Sequence, residues 1–206
     1  MMIERRLKSL CLSAVRWIAG AHGQWVGGEP SGGQSIYCAN HTSHLDAALL
    51  IASMPHRLVE NTRPVAAADY WGADSFRRYL TERVFRSVMI ERDNNRLNPL
   101  GPAFEALRQG DSLIFFPEGT RGPGGFLQAL KPGIYCLARA FRDVAIVPVW
   151  IENSARVLPK SAKLPIPGPC ALYFGEALRW DGQEDAAAFL LRLRSAMEAL
   201  RHRADR

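Results

Sequence analysis

The amino-acid sequence predicts an α/β fold: a single domain with a mixed, mostly parallel central sheet flanked by helices, and with an N-terminal amphipathic helix. Two observations carry this prediction. Strand-length apolar runs alternate along the chain with helix-length segments, and two polar motifs each follow directly on an apolar run, where open α/β sheets place their reactive groups. With 206 residues, 48% of them hydrophobic, the chain is large enough to build one core.

In the first half of the chain, a helical stripe over residues 3–19 is followed by a Gly-rich connector at 23–33, for which no regular structure is expected. The apolar run at 35–39 has the length of a strand. The helix predicted over 44–53 ends before Pro55, because proline cannot continue it. The next predicted elements are a strand at 63–68, a helix at 75–83 and a strand at 84–90, which is rich in β-branched and aromatic residues.

In the second half, Gly110 marks the end of a helix predicted over 97–109. The strand at 112–116 is almost wholly apolar and is therefore expected at the centre of the sheet. Pro148, inside the strand predicted at 145–151, indicates a bulge or an edge position. The remaining predicted elements are helices at 130–142 and 185–202, a basic loop at 153–170 and a final short strand at 171–174.

Charge and cysteine content limit the environment of the protein. The net charge of +6 favours an anionic partner, such as nucleic acid, a phospholipid surface, or an acidic protein or cofactor. The four cysteines are far apart and show neither metal-ligand spacing nor a disulfide framework, so they are expected to be buried, reduced thiols of a protein on the cytoplasmic side. No apolar run approaches the roughly 18 residues that span a bilayer.

The N-terminal segment predicts a helix in the membrane interface. Its apolar side chains follow helical spacing: Ile3, Leu7, Leu10, Cys11, Ala14, Trp17 and Ile18. Arg5, Arg6 and Lys8 lie off this stripe, and Trp17 suits the headgroup level. The segment resembles a secretory signal, but Arg16 interrupts its apolar stretch, so a retained helix is expected. We therefore divide the chain into a membrane-interface helix at 1–22 and a catalytic domain at 23–206. The alternative that the apolar stripe packs on the core of the domain stays open.

The first polar motif is Asn40-His41-Thr42-Ser43-His44-Leu45-Asp46, at a predicted strand-to-helix turn. Asp46 can accept a hydrogen bond from one ring nitrogen of His41 and so raise the basicity of the other, which makes a two-residue general base. The sequence Ser43 to Asp46 also fits a capping box, in which Asp46 satisfies backbone amides and His41 is an ordinary loop residue. The motif alone leaves both interpretations open.

The second polar motif, Phe115-Phe116-Pro117-Glu118-Gly119-Thr120-Arg121-Gly122, follows the predicted central strand. An arginine and a hydroxyl among glycines, with free backbone amides, suit a phosphate group. Glu118 would repel phosphate unless it faces a sugar or glycerol hydroxyl. The alternative is a structural turn in which Arg121 pairs with Glu118.

Together, Asn40-His41-x4-Asp46 and Phe116-Pro117-Glu118-Gly119-Thr120-Arg121 resemble the glycerophospholipid acyltransferase family, which includes the 1-acylglycerol-3-phosphate acyltransferases. The family has four sequence blocks, and all four are found in order. The second corresponds to residues 88–92 and the fourth, with its central proline, to 146–149. The glycine usual at the start of the second block is absent, and Arg86 is near that place. The resemblance extends over about residues 35–175.

The resemblance implies a role for each matching residue. His41 would be the general base on the acceptor's hydroxyl and Asp46 its orienting partner, and the hydroxyl would attack a thioester directly without an acyl-enzyme. The positions that match the binding site for the acceptor's glycerol phosphate are Arg92, Glu118, Gly119 and Arg121. Thr120 is a further candidate phosphate donor and Lys131 a weaker one. No resident cofactor and no metal are implied.

The expected function is transfer of a fatty acyl group from acyl-CoA or an acyl carrier protein to a lysophospholipid, at the cytoplasmic face of the membrane as a peripheral protein. The leading acceptor is 1-acylglycerol-3-phosphate (lysophosphatidic acid), which would give phosphatidic acid. Acylation of lysophosphatidylethanolamine or of an amino-acid lyso-lipid stays open, as does a non-enzymatic basic module on membranes.

Other classes fit the residues less well. A metal hydrolase using His41, His44 and Asp46 would be short of ligands, because the remaining histidines do not pair with carboxylates. A serine hydrolase would need a G-x-S-x-G motif, which the sequence lacks. No nucleic-acid-binding motif with interleaved aromatic residues is present, so nucleic acid is not expected as a partner.

Overall fold

The computed structural model describes residues 2–28, 33–71, 74–91, 98–158 and 164–204. The helices are α1 (Met2–Ala19), α2 (Asp46–Ser53), α3 (His56–Val59), α4 (Ala68–Trp71), α5 (Ser75–Tyr79), α6 (Gly101–Arg108), α7 (Gly133–Ala140), α8 (Ser154–Val157) and α9 (Ala186–Ala204), with a π-helix at Leu80–Val84. The strands are β1 (His22–Trp25), β2 (Ser35–Ala39), β3 (Thr62–Ala67), β4 (Val88–Ile90), β5 (Ser112–Phe115), β6 (Ala145–Ile151) and β7 (Ala171–Phe174).

The strands of the described residues form one seven-stranded sheet in the order β1-β7-β6-β2-β5-β3-β4. Every neighbouring pair is parallel except β6 and β7, which run antiparallel. All residues of β2, β5 and β6 are buried, which explains why these strands read as continuous apolar runs. The predicted class, a mixed and mostly parallel α/β sheet flanked by helices, is confirmed, and β5 is a central strand as expected.

The sheet has a separate hydrophobic core on each face. Ile36 and Cys38 of β2 belong to the core that α6, α7 and α9 cover. Tyr37, between them in the strand, belongs to the core that α1 and α2 cover. This division follows from the pleat, because successive side chains of a strand point to opposite faces. The helices therefore fix the sheet from both sides and leave its carboxyl edge available for polar residues.

Strand β1 was not predicted, because three of its four residues lie in the Gly-rich connector at 23–33, for which no regular structure is expected. It pairs in parallel with β7 at the edge of the sheet, and Trp25 stacks on Phe174 with ring centroids 4.1 Å apart. A side chain at Gly23 would lie 2.7 Å from the carbonyl oxygen of Ser53 in α2. The glycine is thus needed for close packing of strand and helix, which the composition alone does not reveal.

The predicted strand at 84–90 is mostly wrong: only Val88–Ile90 is a strand. Before it, the chain continues from α5 into the π-helix Leu80–Val84, where the amide of Phe85 donates to the carbonyl of Leu80 at 2.9 Å. Arg86 then takes a left-handed conformation with φ of 53° and redirects the chain into β4. The continuing helix has here overridden the β-propensity of Val84.

Pro148 does not lie in an edge strand, since β6 is flanked by β2 and β7. The ladder between β6 and the chain beyond β7 is nevertheless irregular at this point. Val149 pairs with Phe174 and Ile146 with Leu178, so one additional residue lies on the side opposite Pro148. An irregularity of this kind is where a residue without an amide proton fits in a sheet.

Helix α1 packs on the body of the protein through one of its faces. Leu12, Val15 and Ala19 are buried against the core beside α2, and the carbonyls of Ile18 and Ala19 accept hydrogen bonds from the amides of Gly168 and Cys170. The predicted apolar stripe is divided. Three members are half-buried (Leu7, Cys11 and Ile18) and four are exposed (Ile3, Leu10, Ala14 and Trp17). The division at 22/23 stays a prediction, and it falls inside β1.

The cysteines differ more than expected. Cys38 and Cys170 are buried, whereas Cys11 is half-buried and Cys136 is exposed on α7. Burial raises the pKa of the Cys170 thiol to about 11.

None of the helices in the described ranges is both long and apolar enough to cross a membrane.

Candidate active site

The two polar motifs meet because the strands that precede them are neighbours. Strands β2 and β5 are parallel, and Cys38 is in register with Phe115. Both chains therefore leave the sheet at the same carboxyl edge, one toward His41 and the other toward Glu118. This is the edge where open α/β sheets carry their ligand sites.

The side chains of His41 and Asp46 form the pair that the sequence predicted. Nδ1 of His41 lies 2.8 Å from Oδ2 of Asp46, and Asp46 is fully buried whereas the His41 ring is 23% exposed. Because an ionised carboxylate only accepts hydrogen bonds, Nδ1 carries the proton and Nε2 keeps a free lone pair. The arrangement therefore provides a base that is oriented from the protein interior.

Asp46 also serves the backbone, as the capping interpretation expects, while its role as partner of a general base stays a prediction. Its Oδ2 accepts the amides of Thr42 at 2.7 Å and of Ser43 at 2.8 Å, in addition to His41. Helix α2 begins at Asp46 rather than at residue 44, and the Ser43 hydroxyl donates to the carbonyl of Leu158 instead of capping the helix. Three donors thus hold one carboxylate oxygen in place.

The backbone of His41 is fixed by the second motif. Its amide donates to Oε1 of Glu118 at 2.7 Å, and its carbonyl accepts from the amide of Gly122 at 2.8 Å. The ring of His41 stacks on Phe116, with centroids 4.1 Å apart and planes 20° apart. The loop after β5 therefore positions the base through backbone and ring contacts at once.

Asn40 sets the direction in which the chain enters the site. Its side-chain amide donates to the carbonyl of Ile151 at 2.9 Å and accepts from the Ile151 amide at 2.7 Å. These two bonds extend the pairing of β2 with β6 beyond Ala39. In them, the side chain of Asn40 takes the place of backbone groups. The backbone at His41 is then free to bond to the loop after β5.

Glu118 faces the protein interior rather than the solvent. It is 3% exposed, and its two oxygens accept the amides of His41 and Gln128, the latter at 2.9 Å. Burial raises the pKa of this carboxyl, although both amides oppose the change. The alternative of a Glu118–Arg121 ion pair is wrong. The contacts make Glu118 a positioning residue for His41, and its role toward an acceptor hydroxyl stays a prediction.

Glu118→Gln should weaken both the loop and the base. A carboxylate accepts two backbone amides, whereas glutamine must present its own N–H₂ to one of them, so one amide loses its acceptor. We expect the free energy of unfolding to fall by about 1–3 kcal/mol, with a decrease of roughly tenfold or more in the activity that the family resemblance implies, as His41 loses its anchor. Urea denaturation and kinetic assays of the purified variant measure the two effects.

Glu105→Gln is the matched control, since Glu105 is exposed on α6 and its replacement should change neither quantity. Unaltered stability and activity in Glu118→Gln would contradict the positioning role.

Gly119, Thr120 and Lys131 lie together at the turn after β5. Gly119 has φ of 69°, and a Cβ there would lie 2.9 Å from the Lys131 side chain, so this position needs glycine. The Lys131 amide donates to the carbonyl of Pro117 at 2.8 Å, and Thr120 is exposed. Thr120 and Lys131 are thus placed where a ligand could reach them. Arg92 lies outside the described residues.

Arg121 contacts a pair of aromatic side chains that sequence reasoning missed. One guanidinium nitrogen is hydrogen-bonded to Nε2 of His44, and its carbon lies 5.1 Å from the centre of the Tyr70 ring. Burial and the neighbouring Arg121 lower the pKa of His44 to about 4. His44 is therefore neutral near pH 7. From the sequence, His44 is placed at the start of the helix predicted over 44–53, and no motif marks Tyr70.

The site can act as a base on a hydroxyl and can hold an anion. A directed lone pair on His41 Nε2 is suited to accept a proton, and Arg121 supplies a positive charge. Within the described ranges, no group of three or more His, Cys, Asp or Glu side chains is arranged to hold a metal ion.

Comparison with known proteins points to one family. A family model described as Acyltransferase matches residues 27–152. The chain is 33% identical over 132 residues to the 1-acyl-sn-glycerol-3-phosphate acyltransferase LPAT1, chloroplastic, of Arabidopsis thaliana, a match that covers 63% of this chain and 35% of that protein. It is 27% identical over 161 residues to a 1-acyl-sn-glycerol-3-phosphate acyltransferase of Cocos nucifera, covering 69% and 48%. The chain thus spans less than half of the length of these relatives.

A solved structure has the same fold. The crystal structure of the 1-acyl-sn-glycerophosphate (LPA) acyltransferase PlsC from Thermotoga maritima superimposes with a TM-score of 0.73 at 21% sequence identity, covering 99% of this chain and 80% of that one. At this level of identity the comparison shows a shared architecture.

Proposed function

Because the chain belongs to the acyltransferase family, we propose that it transfers a fatty acyl group from an acyl thioester to the free hydroxyl of a lysophospholipid. The observation that carries the proposal is the His41–Asp46 pair, whose Nδ1–Oδ2 distance of 2.8 Å leaves Nε2 of His41 as a base. A thioester is already activated, so the reaction needs chiefly a base that makes the hydroxyl a better nucleophile. No resident metal or cofactor is needed.

The acceptor's hydroxyl oxygen attacks the thioester carbonyl carbon while Nε2 of His41 takes its proton. Asp46 stabilises the imidazolium that forms, since its buried carboxylate accepts a hydrogen bond from Nδ1–H. The tetrahedral intermediate then collapses, the C–S bond breaks, and the departing thiolate takes the proton from the imidazolium. The products are an ester and a free thiol, and His41 returns to its neutral state.

The acceptor we favour is 1-acylglycerol-3-phosphate, which would give phosphatidic acid. Arg121 lies on the loop that also anchors His41, so a phosphate bound there would bring a glycerol hydroxyl toward the base. The named activity of the Arabidopsis and Cocos relatives supports this choice. Another lysolipid, such as lysophosphatidylethanolamine, would use the same base with a different headgroup contact.

The donor is proposed to be acyl-CoA or an acyl carrier protein, both of which present phosphate or acidic groups. Arg156, on α8, is exposed and belongs to the basic loop predicted at 153–170, where its charge suits the phosphates of coenzyme A or an acidic carrier protein. The other basic residues of that loop, Lys160 and Lys163, lie outside the described residues.

We propose that the outer face of α1 rests on the cytoplasmic surface of the membrane as a peripheral contact. Ile3, Leu10 and Trp17 are seven residues apart, which places them on one side of the helix, and they are 73%, 68% and 84% exposed. Basic residues adjoin them at Arg5 and Arg6. The exposed face of α1 therefore carries both apolar and basic groups, while its other face is buried in the protein. Such a helix is suited to bind anionic lipid.

The double variant Leu10→Gln/Trp17→Gln should bind anionic vesicles less tightly without losing stability. Both side chains are exposed, so the fold does not depend on them, whereas burying them in the interface is favourable. We expect vesicle partitioning, measured by sedimentation with phosphatidylglycerol-containing vesicles, to fall roughly 10- to 100-fold.

Leu191→Gln is the matched control, because Leu191 is 65% exposed on α9 and its replacement should leave binding unchanged. By contrast, Leu12→Ala removes a buried side chain and should reduce the free energy of unfolding by about 2–5 kcal/mol. Wild-type partitioning by the double variant would refute the membrane contact of α1.

The proposed function is tested by supplying the purified chain with a labelled long-chain acyl thioester, as acyl-CoA or acyl carrier protein, and a panel of lysolipids. Transfer to lysophosphatidic acid is the expected result. Transfer to another lysolipid alone would keep the mechanism and change the acceptor. Absence of transfer with every donor and acceptor would overturn the proposal in favour of a basic membrane-binding module.

A further inference from the structure

We infer that His44 and Tyr70 are positioning residues that hold the guanidinium of Arg121 for the phosphate of the acceptor. This inference rests on the proposed function. Neither residue is a catalytic residue, because each acts through Arg121.

The three side chains form a closed group in which each contacts the other two. Nε2 of His44 accepts a hydrogen bond from Arg121 and lies 2.9 Å from the hydroxyl of Tyr70. The rings of His44 and Tyr70 stack with centroids 5.1 Å apart, and Arg121 lies over the Tyr70 ring. A cation above an aromatic ring is held by the ring's quadrupole. The guanidinium is therefore constrained by a hydrogen bond and by a ring face.

The donors in this group outnumber the acceptors. A neutral histidine with its proton on Nδ1 has a single lone pair, on Nε2, and both Arg121 and Tyr70 are aimed at it. Arg121 carries five N–H donors, and among the residues that the structure describes no carboxylate forms an ion pair with it. Arg192 and Arg63 differ, since they pair with Glu184 and Asp111. A half-buried cation with unused donors is suited to an incoming anion.

A second guanidinium approaches the same ring. The Cζ atom of Arg77 lies 5.5 Å from the centre of Tyr70, and its contact with Asp74 is long, at 4.0 Å between exposed groups. Two arginines, Arg77 and Arg121, thus lie against the Tyr70 ring. Two cations favour a phosphate monoester over a phosphodiester, because the monoester carries more negative charge at neutral pH.

The alternative interpretation is that His44 and Tyr70 only pack against each other and against Trp71, and do not hold Arg121. The ring centroid of Trp71 lies 5.9 Å from that of His44. The two interpretations differ in what replaces His44. A glutamine side chain can offer an oxygen close to the place of Nε2, whereas leucine fills the volume but accepts no hydrogen bond. Restored function in the glutamine variant would therefore identify the acceptor atom, rather than the ring, as the feature that matters.

The test is steady-state kinetics of the full chain with saturating long-chain acyl-CoA and varied lysophosphatidic acid. For His44→Leu we expect KM to rise roughly tenfold, with kcat within about threefold of wild type, since the base is untouched. Tyr70→Phe should raise KM roughly threefold, because the ring remains and only the hydroxyl is lost. His44→Gln should recover most of the loss.

Two matched controls show whether such changes are specific. Tyr135→Phe removes a hydroxyl whose contact with the carbonyl of Glu184 is 3.5 Å, on a ring that packs against Phe189. His56→Leu alters an exposed histidine at the start of α3. Both controls should keep the wild-type KM. Thermal unfolding of each variant identifies any loss of fold.

Equilibrium binding separates this inference from the proposed function. Calorimetric titration with lysophosphatidic acid in neutral detergent micelles needs no turnover, and Kd should rise roughly tenfold in His44→Leu. If wild type binds in this way but transfers nothing, the inference survives and the proposed function fails. The inference is overturned if folded His44→Leu and Tyr70→Phe keep the wild-type KM and Kd, or if only their kcat falls. It is also overturned if His44→Gln does not recover the wild-type KM, or if the wild-type protein does not bind lysophosphatidic acid.

Discussion

His41→Ala is expected to lower kcat by roughly 10³- to 10⁴-fold, the upper part of the range that a positioned general base supplies. The protein should stay folded, because the backbone bonds from His41 to Glu118 and Gly122 do not involve the ring. The loss is confined to the bond with Asp46 and the stack on Phe116. Acyl-transfer kinetics and thermal unfolding measured on the same preparation separate catalysis from stability.

The matched control is His22→Ala, since His22 is an exposed histidine at the edge of the sheet and its loss should leave kcat at the wild-type value. The acceptor should still bind to His41→Ala, because Arg121 and its partners are intact. Retention of more than about a tenth of the wild-type kcat would remove His41 from the chemistry.

Asp46→Asn is expected to keep the geometry of the site while removing its charge. All three hydrogen bonds to Asp46 fall on Oδ2, and in the described part of the chain Oδ1 is buried without a hydrogen-bond partner. An asparagine oxygen can therefore take the place of Oδ2, with its N–H₂ at the Oδ1 position. Because the tautomer of His41 is kept, we expect kcat to fall roughly 100-fold, through lost stabilisation of the imidazolium alone.

Asp46→Ala provides the contrast to this variant. Asp46→Ala leaves the buried amides of Thr42 and Ser43 without their acceptor and should lower the free energy of unfolding by about 3 kcal/mol. In Asp46→Asn the free energy of unfolding should fall by about 1–3 kcal/mol, because one N–H₂ group is buried without a hydrogen-bond acceptor. Urea denaturation of both variants alongside kinetics makes the comparison. Wild-type kcat in a well-folded Asp46→Asn protein would mean that Asp46 acts only on the backbone.

The sequence predicted a strand or helix correctly where the local residue pattern of that element matches its place in the tertiary structure. The buried strands β2, β5 and β6 were found because parallel strands covered on both faces need continuous apolar runs. Strand β1 was missed, since it is held by pairing with β7, and Val84 was assigned to a strand although it ends the π-helix that continues α5. Short elements at the edge of a sheet carry little periodic signal of their own.

The candidate site shows the same division. His41 and Asp46 could be paired from sequence because both lie within one turn, only five residues apart. The contacts of Glu118 and Arg121 could not, because their partners lie far away in the sequence. The amide of His41 is 77 residues from Glu118, and Tyr70 is 26 residues from His44.

The sequence by itself therefore determined the fold class, the two motifs and the family that they resemble, since these depend on the order of apolar runs and on local spacing. The tertiary structure alone decided which way Glu118 and Arg121 face. Packing of β5 beside β2 turns Glu118 inward to two backbone amides and sends Arg121 to His44 and Tyr70. The physical reason is that a buried carboxylate must find hydrogen-bond donors, and only the folded chain brings them within reach.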